Sequence, residues 1–401
     1  MMRIKDYCFN KHKFLFLIFI LMTLSLPACD KKNITDRDDK KNNKALESSL
    51  DISSPSIEQT ENTTTNELII SEQLLKLTVD SSKKLKQSIQ KFLIEESENN
   101  FNAVKTDWIR SHNNMQSFSP YLAIRQSNPG LFSSLEKFQI ALDAQPIQPG
   151  FLDYFSEYSH SGIVNDIALP LTASNLRKQH GITDITDVSL GFHAIEYILW
   201  GEKGSRPLSD FIAKNKLSKT QEEEGLSIVD LPNNRRRTLL QLQADLLVDD
   251  LTALEKFWNN PHGLFKKTFF SLPFESRTQL IAAAATIRIE EEITLLGYFL
   301  DVESNDATNK ETANSHNQFL NQNTSNVIAV LQTLKTSFFE DSSPLIPEST
   351  PLSNERQNIG TEIDAILEDL DKKTNEWPLE QTLAKKLNEL LKNIINQLKT
   401  H

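Results

Sequence analysis

From Glu67 onward the apolar positions recur at helical spacing. Leu68, Leu74, Leu75, Leu85 and Ile89 form one stripe, followed by Phe92, Phe101, Val104, Trp108 and Ile109, and the spacing predicts amphipathic helices. Pro120, Pro129-Gly130 and the stretch from Pro146 to Gly150 predict short or kinked helices next. A helix is expected at 186–200, with Thr186 or Asp187 capping its start and Gly201 just past its end. The polar stretch 202–234 reads as loop with a short helix. Leu239, Leu242, Leu246, Leu247, Leu251, Leu254 and Phe257 then mark a strong helix over 235–258. Another follows at 278–300, where the small residues 282–285 allow close helix contact. Residues 315–339 read as helix, 341–354 as a proline-rich break. Two amphipathic helices close the chain, one carrying Ile359, Ile363, Ile366, Leu367 and Leu370, the other Leu383, Leu387, Leu390, Leu391, Ile394 and Ile395 after Pro378. With 11 Gly and 38% hydrophobic residues, the composition suits an all-α chain better than a turn-rich β fold.

The first 66 residues follow a different pattern. Arg3, Lys5, Lys11 and Lys13 precede an apolar run over 14–26 and then Leu26-Pro-Ala-Cys29, the parts of a secretory signal over residues 1–28. The run is too short to span a bilayer as a helix. The cysteine after Leu-x-Ala resembles a bacterial lipobox, so Cys29 is expected to carry lipid. Residues 29–66 are charged, rich in Ser, Thr and Asn, and nearly free of large apolar side chains, which predicts a flexible tether with a reach of roughly 30 to 40 Å. The chain has only 2 Cys, Cys8 and Cys29, leaving none for a disulfide or a thiolate ligand. A net charge of −11, more negative once the basic leader is removed, excludes nucleic acid as a partner.

The chemistry concentrates in Gly191-Phe-His-Ala-Ile-Glu-Tyr-Ile-Leu-Trp-Gly201. His193 and Glu196 share a helical face inside apolar sequence, where an unpaired carboxylate is costly. Three readings account for the pair: a polar core contact, two ligands of a metal such as zinc or iron, or a peptidase site. A helical zinc peptidase needs H-E-x-x-H or H-x-x-E-H, but position 197 is Tyr and no H-E-x-x-H occurs. Further carboxylates could come from Asp166 or from Glu290, Glu291 and Glu292. Three consecutive Glu point in three directions, so at most one or two can face a site. His112, His160, His180, His262 and His401 read as surface residues. There is no Gly-rich phosphate loop and no G-x-S-x-G, so nucleotide enzymes and serine hydrolases are poor fits.

The chain resembles the imelysin-like family of bacterial periplasmic proteins. Gly191, His193 and Glu196 match its G-x-H-x-x-E signature. Ser161-Gly-Ile-Val-Asn-Asp-Ile-Ala-Leu169 is similar to its S-G-I-I-N-D segment, and the stretches Arg235-Arg-Arg-Thr-Leu-Leu and Asp245-Leu-Leu-Val-Asp-Asp-Leu251 are similar to the helix after its motif. The likeness covers about 100–335. One departure lies at Ser315-His-Asn-Gln-Phe-Leu-Asn-Gln-Asn-Thr324, where the family's Ser-Asp-Asn-Thr aspartate is replaced by amides; His316 falls in this segment. The resemblance implies two packed helical bundles, 67–200 and 201–401, meeting near residue 200 with a site in the cleft between them. It also implies a metal, iron or zinc, held by His193 and Glu196 with further ligands from Asp166, Glu290 to Glu292 or His316. The implied role is a periplasmic lipoprotein of iron acquisition with an uptake partner protein, tethered to the inner or outer membrane. The alternatives are a metallopeptidase and a helical interaction protein with a vestigial motif.

Overall fold

A computed structural model describes residues 67–156, 158–300, 323–346, 352–373 and 379–399, with side chains left undescribed at 295 and 297–300. The expected signal over 1–28, Cys29, the tether to residue 66, and His316 lie outside the described residues. The chain from Asn62 to His401 is one compact unit. Its helices run in order: α1 (Ile69–Ile94), α2 (Glu98–Leu122), α3 (Ile124–Ser127), α4 (Pro129–Phe132), α5 (Glu136–Asp143), α6 (Ala173–Gln179) and α7 (Gly191–Trp200). After these come α8 (Lys219–Glu223), α9 (Pro232–Asn259), α10 (Leu264–Phe270), α11 (Phe274–Leu300), α12 (Asn323–Phe338), α13 (Asn354–Asp371) and α14 (Gln381–Lys399). Among the described residues there is no β-strand, only an isolated bridge between Phe155 and Tyr158. The fold is all-α, as the apolar spacing predicts. No described helix is long and apolar enough to cross a membrane.

The expected stripes form the core. Leu75, Val79, Leu85, Ile89 and Phe92 of α1 are buried against Phe101, Val104 and Trp108 of α2, whose start is capped by the Ser97 side chain. Helix neighbours cross residue 200, however: α9 packs on α1, α5 and α7, while α11 and α12 pack on α2. Packing therefore runs across residue 200 as well as on either side of it. The physical reason is α2, whose 25 residues extend roughly 37 Å. It is long enough to pack against α1, α7, α11 and α12 at once.

The signature helix is shorter than expected. It begins at Gly191, not at 186, because Asp187 is used elsewhere: its Oδ2 accepts from the backbone N–H groups of Thr183 and Asp184 and closes a turn. All ten residues of α7 are buried, as befits a helix that is apolar on nearly every side. Two devices fix the surrounding loops. Arg235 donates from Nε and Nη2 to the carbonyls of Val164, Ile163, Asp166 and Leu169, pinning the Ser161–Leu169 segment to α9. Asp153, wholly buried, receives Arg236 Nε at 2.6 Å and Arg206 Nη1 at 2.8 Å, locking the chain on either side of α7.

Candidate metal centre

The site is assembled where the start of α7 meets the end of α5 and the middle of α2. Gly191 makes this approach possible. Its φ of +83° is open to glycine but strained for any side chain, and the backbone of Ala141 and Leu142 fills the space a Cβ would need. The last residue of α5, Asp143, consequently lies against α7. His180 secures the same junction from outside, its Nδ1 accepting from the N–H groups of Ser189 (3.1 Å) and Leu190 (3.3 Å) while its Nε2 donates to the Ile140 carbonyl (2.8 Å). It supplies part of the capping that α7 lacks from its own side chains. His180 was expected on the surface; it is a partly buried structural residue.

His193 Nε2 lies 3.2 Å from Asp143 Oδ1, and His112 Nε2 lies 3.4 Å from the same oxygen. One ligand atom from each of His112, Asp143 and His193 falls within 4.8 Å of the others. His112 also departs from its expected surface position. Enclosed between α2's neighbours, it is 1% exposed and stacks on Trp108 with ring centroids 4.8 Å apart. Glu196 stands behind His193, 2.8 Å from Nδ1. It meets the ring nitrogen opposite the one that faces Asp143 and is not among the three facing atoms.

The electrostatics of the two imidazoles are opposed. Burial pushes His112 down, below the usual imidazole range, despite the nearby Asp143. Burial acts on His193 in the same direction but is overridden by the hydrogen bonds and charges of Asp143 and Glu196, which raise it to about 10. At 3.2 Å, His193 Nε2 and Asp143 Oδ1 are close enough to share the Nε2 hydrogen or, in its place, a metal ion. The donor set fits such an ion. Two imidazole nitrogens and one carboxylate oxygen suit iron or zinc, with His193 oriented from behind by a carboxylate in the manner of metal-bound histidines.

The other expected ligands are not brought to this point. Asp166 is exposed in the loop held by Arg235, and its Oδ1 accepts from Ala168 N. Glu290 is exposed, and Glu292 is buried in an ion pair with Arg288. Glu291 pairs with Arg288 at 3.3 Å and lines a cavity of about 640 Å³ whose wall also includes Asp143, Arg288, Gln126 and Gln139. His112 and Asp143 are the members of this cluster that sequence reasoning missed. His112 carried a signal, one turn after Trp108 on an apolar stripe. Asp143 carried none, since its position depends on which helix end abuts Gly191.

The sequence model of imelysin matches residues 75–400. The chain belongs to the imelysin family. Among solved structures, this imelysin-family chain is similar to a candidate iron-regulated protein A precursor from Parabacteroides distasonis. The TM-score is 0.50 and the identity 13%, over 84% of this chain and 92% of that one. The likeness is one of fold, and it confirms the all-α imelysin-like architecture. No curated protein matches the sequence.

Proposed function

We propose that this imelysin-family chain is a membrane-tethered periplasmic protein that binds a metal ion at His112, Asp143 and His193 and serves in iron acquisition. The observation that carries the reading is the convergence of two imidazoles and one carboxylate within 4.8 Å in the buried core. His193 Nε2, His112 Nε2 and Asp143 Oδ1 would hold the ion, and Glu196 would fix the His193 ring from behind. A bound ion would supply positive charge and Lewis acidity. The description of the Parabacteroides distasonis structure as iron-regulated supports an iron-related role. The leader over 1–28 and the lipobox-like Cys29 support tethering to a bacterial membrane, and an iron-uptake partner protein would receive the ion there.

Binding fits this centre better than peptide hydrolysis. Glu196, the obvious general base of a peptidase reading, is occupied by His193 Nδ1. The test uses purified full-length protein in detergent. Ferrous or zinc ion should raise the melting temperature, with a gain of about 2.7 kcal/mol at a free concentration a hundredfold above Kd. His193→Ala and Asp143→Asn should erase the increment. An increment that persists in both variants would place the ion elsewhere, and chelator-sensitive cleavage of unfolded protein would favour the metallopeptidase.

A further inference from the structure

Gln116 faces the metal centre from α2, one turn after His112, and is fully buried. Its Nε2 lies 3.1 Å from His112 Nε2 and donates to Asp143 Oδ2 at 2.9 Å, while its Oε1 accepts from Arg288 Nη2 at 3.1 Å. A guanidinium carries donors only, so the amide has one permitted orientation, oxygen toward Arg288 and nitrogen toward the centre. One amide hydrogen then meets Asp143 Oδ2, and the other is placed to reach His112 Nε2, which accepts it when the ring carries its hydrogen on Nδ1. Arg288 is itself held in place: Nε donates to Ser119 Oγ at 3.0 Å, and the remaining groups pair with Glu291 and Glu292.

Two consequences follow for the ligands. With Oδ2 engaged, Asp143 turns Oδ1 toward both histidines. With Nε2 accepting, His112 carries its proton on Nδ1 and keeps a lone pair directed into the centre. We propose that Gln116, locked in orientation by Arg288, is the positioning residue of the metal centre: it selects the His112 tautomer that can ligate and aims Asp143 Oδ1 at the ion. A bound ion would be held by the His112 lone pair, and Gln116 would keep its bond to Asp143. This role rests on the metal-centre reading, but the tautomer can be observed without metal.

The experiment has two arms, both on purified full-length protein in detergent. In metal-free protein carrying ¹⁵N-labelled histidine, NMR should find His112 as the Nδ1–H tautomer. Gln116→Leu should convert it to Nε2–H, now donating to Asp143. In the second arm Co²⁺ is titrated in. Gln116→Leu should weaken Co²⁺ binding about 10- to 100-fold and alter the visible spectrum of the bound ion. Should that variant fail to fold, Arg288→Lys should act in the same direction, because an ammonium still neutralises Glu292 but does not fix the amide of Gln116. Glu67→Gln breaks the ion pair with Arg277, roughly 16 Å along α11 from Arg288. It should lower the melting temperature and leave tautomer, affinity and spectrum unchanged. If wild type binds Co²⁺ and the Gln116 and Arg288 variants bind it equally well with an unchanged tautomer, the positioning role is overturned and the metal centre stands. If wild type takes up no Co²⁺ at all, both are overturned together.

Discussion

The carbonyl oxygen of Leu142 lies 2.4 Å from the point a Cβ on Gly191 would occupy. The glycine of the family signature therefore contributes no chemistry of its own. It lets the end of α5 touch the start of α7, and that contact delivers Asp143 to His193.

Gly191→Ala should accordingly cost on the order of 2–4 kcal/mol in urea denaturation, from positive-φ strain together with backbone overlap. Gly181 also has positive φ, +66°, but nothing within 4 Å of its Cβ position. Gly181→Ala should cost only about 1–2 kcal/mol. Equal losses at the two sites would show that the close approach to Leu142 is not tight.

The two central histidines should give the metal-free protein a stability maximum. His193, raised to about 10, contributes stability that is full below its ordinary value of 6.5 and is lost as pH rises through about 10. His112, held low by burial, contributes in the opposite sense: its stabilisation is present above 6.5 and declines as pH falls below that. Denaturation across pH 5 to 10 should show His193→Gln flattening the alkaline decline, and His112→Gln the acid one. Unchanged slopes in both variants would place the pH dependence in other groups.

Asp153 neutralises two buried guanidiniums, Arg206 and Arg236. Asp153→Asn keeps the shape but leaves Arg236 without a carboxylate partner and Arg206 with only the part-exposed Asp210, and it should cost about 3–5 kcal/mol by chemical denaturation. Asp250 pairs with Arg177 at the surface, so Asp250→Asn should cost less than about 1 kcal/mol. A small loss at Asp153 would mean that water reaches the cluster.

Cys29→Ser tests the tether. The variant should lose lipid and either leave the membrane fraction or retain its leader as a larger species. Fractionation and migration identical to wild type would refute lipidation at Cys29. Asp30, immediately after it, resembles an inner-membrane retention signal, so wild-type protein is expected in that membrane; recovery from the outer membrane would show that the rule does not operate here.

The helices were legible where burial follows a single stripe. The apolar spacing of α1, α9 and α14 predicts the faces that the fold buries, and Gly191, His193 and Glu196 mark the right helix. The centre itself was only half legible. His193 and Glu196 sit three residues apart, so helical geometry alone joins them, whereas His112 and Asp143 arrive from other helices through contacts that no local period encodes. Asp166 illustrates the converse. It lies in a segment similar to one in the family, but the carbonyls of that segment are what Arg235 binds, and its carboxylate faces water. The start of α7 was misread because a Thr or Asp before an apolar run usually caps the helix, while here Asp187 closes the preceding turn.

Trp108 presses its ring flat against His112 and donates its indole N–H to the Phe192 carbonyl at 3.0 Å, so it cannot swing away when the neighbouring imidazole changes state. An emitter held this rigidly beside a proposed ligand would have an optical use. An open-shell ion such as ferrous iron or cobalt can accept excitation energy across a single imidazole and darken the indole, whereas closed-shell zinc has no low-lying state to receive it. With an ion bound as proposed, the core would hold a natural fluorophore that tells the two metals apart in solution, with no label attached.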